Sequence, residues 1–321
     1  MLGAQDTASL LPYPQLVAAL RAAALEVALG QIVCPQRQVM PMGDGGALLS
    51  MAAVADDIAV HKLVTVVPQN PQRGLPTIQG QVTALNSASG ELLLMLDGAT
   101  VTGRRTAAVS MLGIVALLPR PPASVRIYGT GTQAFHHLEA IVALFPEARV
   151  QVTGRTTASS GKFCAAHAQA CASLTPVAAT STMPAADVII TCTTSQEPVY
   201  SEAAQSRRLV VAVGAYTPGA AEVAAATVRG SALYVDDLVN ARHEAGDLIR
   251  AGVDWQQVRP LSLALDALEG RSAPAGAVLF KTVGSAAWDL AAARVALRTR
   301  AVMDSSYTAD NVAPPSGCAT P

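Results

Sequence analysis

The sequence predicts an α/β protein, with a doubly wound parallel sheet in its larger part and a smaller α+β unit ahead of it. Three observations predict this. From residue 124 onward, continuous apolar runs of strand length alternate with helix-length segments, the pattern of parallel strands covered on both faces. A glycine turn, Gly129-Thr130-Gly131, stands between the first of those runs and the helix after it. Before residue 119 the rhythm differs: short β-rich segments, two of them forming a hairpin, lie between two helical stretches. A chain of 321 residues has room for two such units.

In order along the chain, residues 14–29 set Leu16, Ala19, Leu20, Ala23, Leu25 and Val27 at helical spacing. Residues 58–67 alternate and are β-branched. Residues 81–85 and 91–96 flank the turn-rich stretch 86–90 as a hairpin. Residues 100–118 follow as a helix opened by Thr100 and ended by Pro119, and with Pro121 and Pro122 this proline cluster marks the boundary between the units. Beyond it, 124–128, 149–153, 187–193, 208–213 and 233–235 have strand character. Helices are expected at 133–144, 159–172, 237–251, 260–268 and 284–298, and residues 304–321, rich in Ser, Pro and Thr, form a disordered tail.

Composition narrows the function. Net charge is −1, which excludes the basic field of a typical nucleic-acid binder. No apolar run approaches the roughly 18 residues that span a bilayer, and the N-terminus lacks signal-peptide order. The five Cys form no C-x-x-C pair and the His residues show no metal-ligand spacing, so a cytoplasmic protein without a metal is expected. Only three Lys (Lys62, Lys162 and Lys281) stand against 19 Arg. Lys is the compact cation that can lose its proton when buried, so each invites a reason.

The glycine turn extends to G-x-G-x-x-A, with Gly129, Gly131 and Ala134. The first Gly allows the tight turn, the second lets backbone approach a pyrophosphate, and the small third residue lets helix and strand pack closely. In a strand–turn–helix setting this points to a dinucleotide. The second strand of such a site ends in Asp or Glu when the ligand is NAD. Here it ends in Thr153-Gly154-Arg155-Thr156-Thr157, so Arg155 and Thr156 can meet a 2′-phosphate. NADPH is favoured, with NADH the weaker ligand.

Further motifs carry a family resemblance. They are H-K-L-V-T (61–65), L-D-G (96–98), T-G-R-R-T-A-A-V-S (102–110), Y-G-T-G-T-Q-A (128–134), A-D-V-I-I-T-C-T (186–193) and E-P-V (197–199). They continue with V-G-A-Y-T-P (213–218), Y-V-D (234–236), A-G-D-L (245–248) and F-K-T-V-G-S-A-A-W-D (280–289). In this order the chain resembles the ornithine cyclodeaminase/mu-crystallin family.

The resemblance implies a substrate-binding and dimerisation domain from residues 1–117 with 291–321, and an NADP-binding Rossmann domain from 118–290. It implies a homodimer, and a substrate carboxylate held by Arg37, Lys62 and Arg105, with Lys62 also catalytic. Arg104 is then the solvated neighbour of Arg105. Cofactor contacts fall on Thr106, Gly129, Gly131, Thr132, Gln133, Arg155, Thr156, Thr193, Thr194, Val213, Gly214 and Val283. Lys281 is a cleft residue of open role.

One departure matters. Where cyclodeaminases of the family carry Asp in G-x-D-x-P, this chain has Tyr216. The expectation is therefore NADPH-dependent reduction of cyclic ketimines, Δ1-pyrroline-2-carboxylate and Δ1-piperideine-2-carboxylate, to proline and pipecolate. The alternatives are an alanine-type amino-acid dehydrogenase, an ornithine cyclodeaminase, or a mu-crystallin-like protein that binds a small ligand without turnover.

Overall fold

A computed structural model describes residues 1–178, 186–266, 274 and 276–310. The chain begins with helices α1 (Ala4–Ser9) and α2 (Tyr13–Ala28). An antiparallel sheet follows, in spatial order β1 (Gln38–Pro41), β2 (Ala47–Val54), β3 (Ile58–Val66), β4 (Ile78–Asn86) and β5 (Leu92–Asp97). Helix α3 (Gly98–Leu117) then leads to the second sheet.

That sheet is built from β6 (Ser124–Tyr128), α4 (Thr132–Leu144), β7 (Arg149–Thr153), α5 (Thr157–His167), β8 (Thr175–Pro176), β9 (Val188–Thr191) and β10 (Leu209–Ala212). It continues through α6 (Ala225–Arg229), β11 (Ala232–Val235), α7 (Leu238–Glu244), α8 (Gly246–Ala251), β12 (Arg259–Pro260), α9 (Ser262–Asp266) and β13 (Val278–Lys281). Helix α10 (Ala286–Asp310) returns to pack on α2, β2 and β3.

The second sheet is parallel, in the order β12-β11-β13-β10-β9-β6-β7-β8. From β6 the chain moves one way to β7 and β8, then returns to β9 on the other side. The glycine turn after β6 therefore sits at the switch point of the sheet, where such folds open a crevice. Strands β6, β9, β10 and β13 are buried at every position, which explains their mainly apolar sequence; the charged exceptions Arg126 and Lys281 are buried with partners, Thr153 for the first and Asp247 for the second.

Helix α3 is the buried pillar between the sheets. Small residues at Gly103, Ala107, Ser110 and Gly113 let neighbours approach: the His136 ring lies against Gly103, and the Phe280 ring against Gly113. His137 fixes α4 on α3, bonding Ser110 Oγ at 2.8 Å and Gln133 O at 2.7 Å. Burial lowers its pKa to about 4, so it is neutral.

Several expectations need correction. Helix α3 is opened by Asp97, whose carboxylate accepts from Thr100 N at 2.8 Å, and not by Thr100. The helix expected over 237–251 is two helices, α7 and α8, parted at Ala245. Helix α5 ends at His167 rather than 172. Strands β1, β2, β8, β12 and β13 were not foreseen. Helix α10 runs on through Asp310, into the stretch read as a disordered tail; residues 311–321 of that tail, and 267–268 of the helix expected at 260–268, lie outside the described residues.

Among the described residues no helix is long and apolar enough to cross a membrane, and no cluster of ligating side chains could hold a metal.

Candidate active site

Lys62 owes its burial to the two-residue period of β3. It shares a face with Ile58, Val60 and Val64, the face turned to the core. An unpaired ammonium there would be costly. Its Nζ lies 2.8 Å from Oδ2 of Asp289, a buried acid in the first turn of α10. Oδ1 of the same carboxylate accepts from Nε of Arg105, 3.2 Å away. Arg105 stands in the second turn of α3 and is itself buried. One anion thus holds two cations.

Burial and the Arg105 guanidinium both pull the Lys62 pKa down; Asp289 opposes them, Arg37 adds to the fall, and the ammonium titrates at about 7.

The terminal nitrogens of Arg105 lie beside Gly284, so close that a Cβ there would meet Nη1 at 2.9 Å. Gly284 has φ +84°, a conformation that glycine adopts without strain. Asp236 fixes this stretch of chain. It accepts from Thr282 Oγ1 at 2.6 Å, from the backbone N–H of Val283 and Gly284 at 2.9 Å each, and from Trp288 Nε1 at 3.1 Å. The carbonyls of Val283 and Gly284 then receive Nη2 of Arg37 at 2.7 and 2.8 Å. The same nitrogen pairs with Glu244 at 3.0 Å. Nε of Arg37 is buried and has no partner among the described residues. The three predicted cations Arg37, Lys62 and Arg105 are therefore gathered around Gly284 and Asp289.

Arg104 is not the solvated neighbour that was expected. It is buried, its Nε donates to Leu11 O at 3.0 Å, Nη1 meets Glu139 at 3.3 Å, and its guanidinium lies over the Tyr13 ring. It ties α3 to α2 and α4.

Across the crevice, Gly129 has φ +130°, and a Cβ there would strike Cys192 O at 2.7 Å. Gly131 caps α4 with no side-chain hydrogen bond, and open space lies beside it. The first N–H groups of α4, from Thr132 and Gln133 onward, thus form an uncapped, uncrowded helix start. That is the cradle a pyrophosphate needs, and a dinucleotide fits it. Gln133 Oε1 is buried without a partner among the described residues. Thr106 is buried on α3.

Arg155 is exposed beyond β7, beside the start of α5. The Thr156 hydroxyl accepts from Ser159 N as the cap of α5, which leaves its proton to donate. Val213 is buried, Thr194 exposed, and Thr193 and Gly214 both donate backbone N–H groups to Glu222. A cavity of about 450 Å³ reaches Thr132 from the side of β4 and α1; Arg37, Lys62 and Arg105 do not line it.

The sequence reading missed Asp236, Glu222, Glu244 and Asp289. For Asp289 a signal existed: an acid inside the apolar run Ala286-Ala287-Trp288-Asp289-Leu290-Ala291 is as much in need of a partner as Lys62 in its strand.

The model of the ornithine cyclodeaminase/mu-crystallin family matches residues 1–303. The Δ1-pyrroline-2-carboxylate reductase 1 of Burkholderia multivorans is 54% identical over 293 residues, 91% of this chain and 93% of that protein. The Δ1-pyrroline-2-carboxylate/Δ1-piperideine-2-carboxylate reductase of Azospirillum brasilense is also 54% identical, with the same coverage of 91% and 93%. The solved Δ1-pyrroline-2-carboxylate reductase of Thermococcus litoralis, in complex with NADH and L-proline, has the same fold. It superposes with a TM-score of 0.85 at 23% identity, over 94% of this chain and 97% of that one. Because the family match runs without a break through both sheets and into the helix that carries Asp289, the chain belongs to the ornithine cyclodeaminase/mu-crystallin family.

Proposed function

We propose that the protein reduces cyclic ketimines that carry a carboxylate beside the C=N bond, Δ1-pyrroline-2-carboxylate and Δ1-piperideine-2-carboxylate, to proline and pipecolate with NADPH. The observation that carries this reading is the Lys62–Asp289–Arg105 group. With Lys62 protonated it holds two positive charges against one negative, an excess of one that suits a single carboxylate. The names of the two bacterial relatives support the same substrates.

Arg105, through its terminal nitrogens, binds the carboxylate with charge-assisted hydrogen bonds, and the Arg37 guanidinium adds its positive charge beside it. This orients the flat ring with its imine carbon toward the ends of β9 and β10. Bound in the crevice, the nicotinamide supplies hydride to that carbon. Lys62, titrating near neutrality, donates its proton to the imine nitrogen, which makes the carbon electrophilic and leaves Lys62 as the neutral amine. Fixing this geometry in a site without water supplies several kcal/mol of barrier reduction. One methylene separates the two rings and is worth only about 1–3 kcal/mol of discrimination, so both are accepted.

NADPH preference is supported by Arg155, exposed where an NAD site has an acid. Cyclodeamination is disfavoured because the position after β10 holds Tyr216, 45% exposed, and no carboxylate. The proposal includes the division into residues 1–117 with 291–321 for substrate and dimer contacts and 118–290 for cofactor, a homodimer, and a cytoplasmic location.

The test is cofactor oxidation with each imine, run with NADPH and with NADH, beside ammonia release from ornithine and cofactor reduction with alanine. Reduction of both imines, faster at low NADPH than at low NADH, is the expected result. Rapid ammonia release from ornithine, or alanine oxidation without imine reduction, would replace this reading with one of the others. Tight ligand binding without any turnover would leave only the binding protein.

A further inference from the structure

Glu222 is fully buried in the connection between β10 and α6, and it collects four donors. Oε1 accepts from the backbone N–H of Thr193 at 2.5 Å and from its hydroxyl at 2.7 Å. Oε2 accepts from the Thr191 hydroxyl at 3.1 Å and from Gly214 N at 2.5 Å. These donors come from the exits of two adjacent strands, since Thr191 pairs with Ala212 across β9 and β10. The carboxylate is a brace that sets the distance between the two exits. The fit leaves no slack: a Cβ on Gly214 would meet Thr193 O at 2.1 Å and the Glu222 carboxyl at 2.8 Å.

The brace is itself held. The backbone N–H groups of Glu222 and Val223 donate to Asp247 Oδ1 at 2.6 and 2.9 Å. Asp247 Oδ2 pairs with Lys281 Nζ at 3.1 Å, both side chains fully buried. Lys281 ends β13, in register with Ala212 of β10. Burial raises the Glu222 pKa, and the Lys281 ammonium opposes it. A buried ionic cluster is weak as a means of stability, because well-packed apolar residues do the same at less desolvation cost. This one stands at the exits of three neighbouring strands, at the carboxyl end where such sheets take their ligand.

We propose that Glu222 is a positioning residue for the nicotinamide end of the dinucleotide. Acting through Thr193 and Gly214, it fixes the surface against which the ring is held, while Asp247 and Lys281 keep it in place. The inference rests on the reading above that a nicotinamide dinucleotide lies over these strand ends. Misplacement of reacting groups by about 1 Å costs on the order of a hundredfold in rate, so a brace of this kind acts on turnover.

The experiment compares the unaltered protein with Glu222→Gln and Glu222→Asp. Glutamine keeps the shape but turns its NH2 toward the backbone N–H of Thr193 or of Gly214, which can only donate. The readouts are kcat, the KM of NADPH, the KM of Δ1-pyrroline-2-carboxylate, and the Kd of 2′-phospho-ADP-ribose, which lacks the nicotinamide. Glu222→Gln is expected to lower kcat at least about tenfold and raise the NADPH KM several-fold. The imine KM and the 2′-phospho-ADP-ribose Kd stay within about twofold. Glu222→Asp keeps the charge with a shorter reach and falls between; should the glutamine variant not fold, the aspartate variant is read by the same split. Unchanged kcat and NADPH KM overturn the proposal. So does an equal loss in all four readouts, which is the mark of general structural damage. If the unaltered protein binds neither NADPH nor 2′-phospho-ADP-ribose, the functional reading falls and the inference with it.

Discussion

Nζ of Lys62 and Oδ2 of Asp289 lie 2.8 Å apart, with side chains 2% and 0% exposed. The pair is not closed on itself, because Asp289 also serves Arg105 through its other oxygen. An acid shared between two buried cations neutralises only one of them. In the proposed function, the remaining charge is what the site offers a substrate carboxylate.

Asp289→Asn removes the shared anion and leaves two like charges together. Breaking a buried ion pair by removing one partner costs about 3–5 kcal/mol. The variant is expected to lose at least about a hundredfold in kcat/KM for the imine, with NADPH binding nearly unchanged. The Lys62 titration should move further down, read as an acid shift of the alkaline limb of the pH–rate profile. A wild-type rate and profile would contradict the role given to this carboxylate.

Lys62 itself makes two pH predictions of opposite sense. The proposed mechanism uses the protonated form, so kcat/KM is expected to fall as pH rises through about 7. Lys62→Arg, which cannot titrate in this range, should lose that limb and most of kcat. Stability runs the other way. The folded-state pKa, about 7, lies below the ordinary 10.5. Between those values the unfolded chain binds more protons, and the contribution of Lys62 to stability rises with pH. Below pH 7 the full burial penalty stands. Compared with Lys62→Met, the unaltered protein should gain in relative Tm from pH 7 towards 10; a gap constant with pH would show that Lys62 keeps an ordinary pKa.

Arg155→Ala tests the cofactor preference. The side chain is exposed at the start of α5, and no acid stands beside it. Loss of a charge-assisted contact to a 2′-phosphate should raise the KM of NADPH about tenfold or more and leave that of NADH nearly unchanged. Equal effects on both would remove Arg155 from the site.

Gly113→Ala tests the packing of α3. In an exposed helix interior the change would stabilise by about 1 kcal/mol. Here the new methyl would lie 2.4 Å from the Phe280 ring, which is fully buried and has no free direction. Destabilisation by about 1–3 kcal/mol is expected, seen as a lower Tm.

Legibility in the sequence followed the kind of signal each residue left. Lys62 stood out as a charge on the apolar face of an alternating strand, and the glycine turn as a break between strand and helix. The parallel strands were readable wherever they formed long apolar runs. Strand β13 was missed because its four residues, Val278–Lys281, end in a Lys and run into Thr-Val-Gly. Its burial comes from its place between β10 and β11, which only the folded chain supplies. Asp236 and Glu222 were missed for another reason. Each bonds backbone N–H groups of segments remote in sequence, and donors of that kind are the same in every residue. The two rows of α3 that look alike, Arg104 and Arg105, were separable only by what lies opposite them: Glu139 and Tyr13 for one, Asp289 for the other.

The return of α10 to the first sheet also sets an order of events at the ribosome. Asp289 follows Arg105 by 184 residues. While the intervening chain is being translated, the antiparallel sheet and α3 have emerged with two cations and no counter-charge to receive them. Closing that core around a protonated Lys62 in that interval would bury a cation without its counter-charge. The arrival of α10 is expected to complete both the packing and the charge balance of the first sheet and α3.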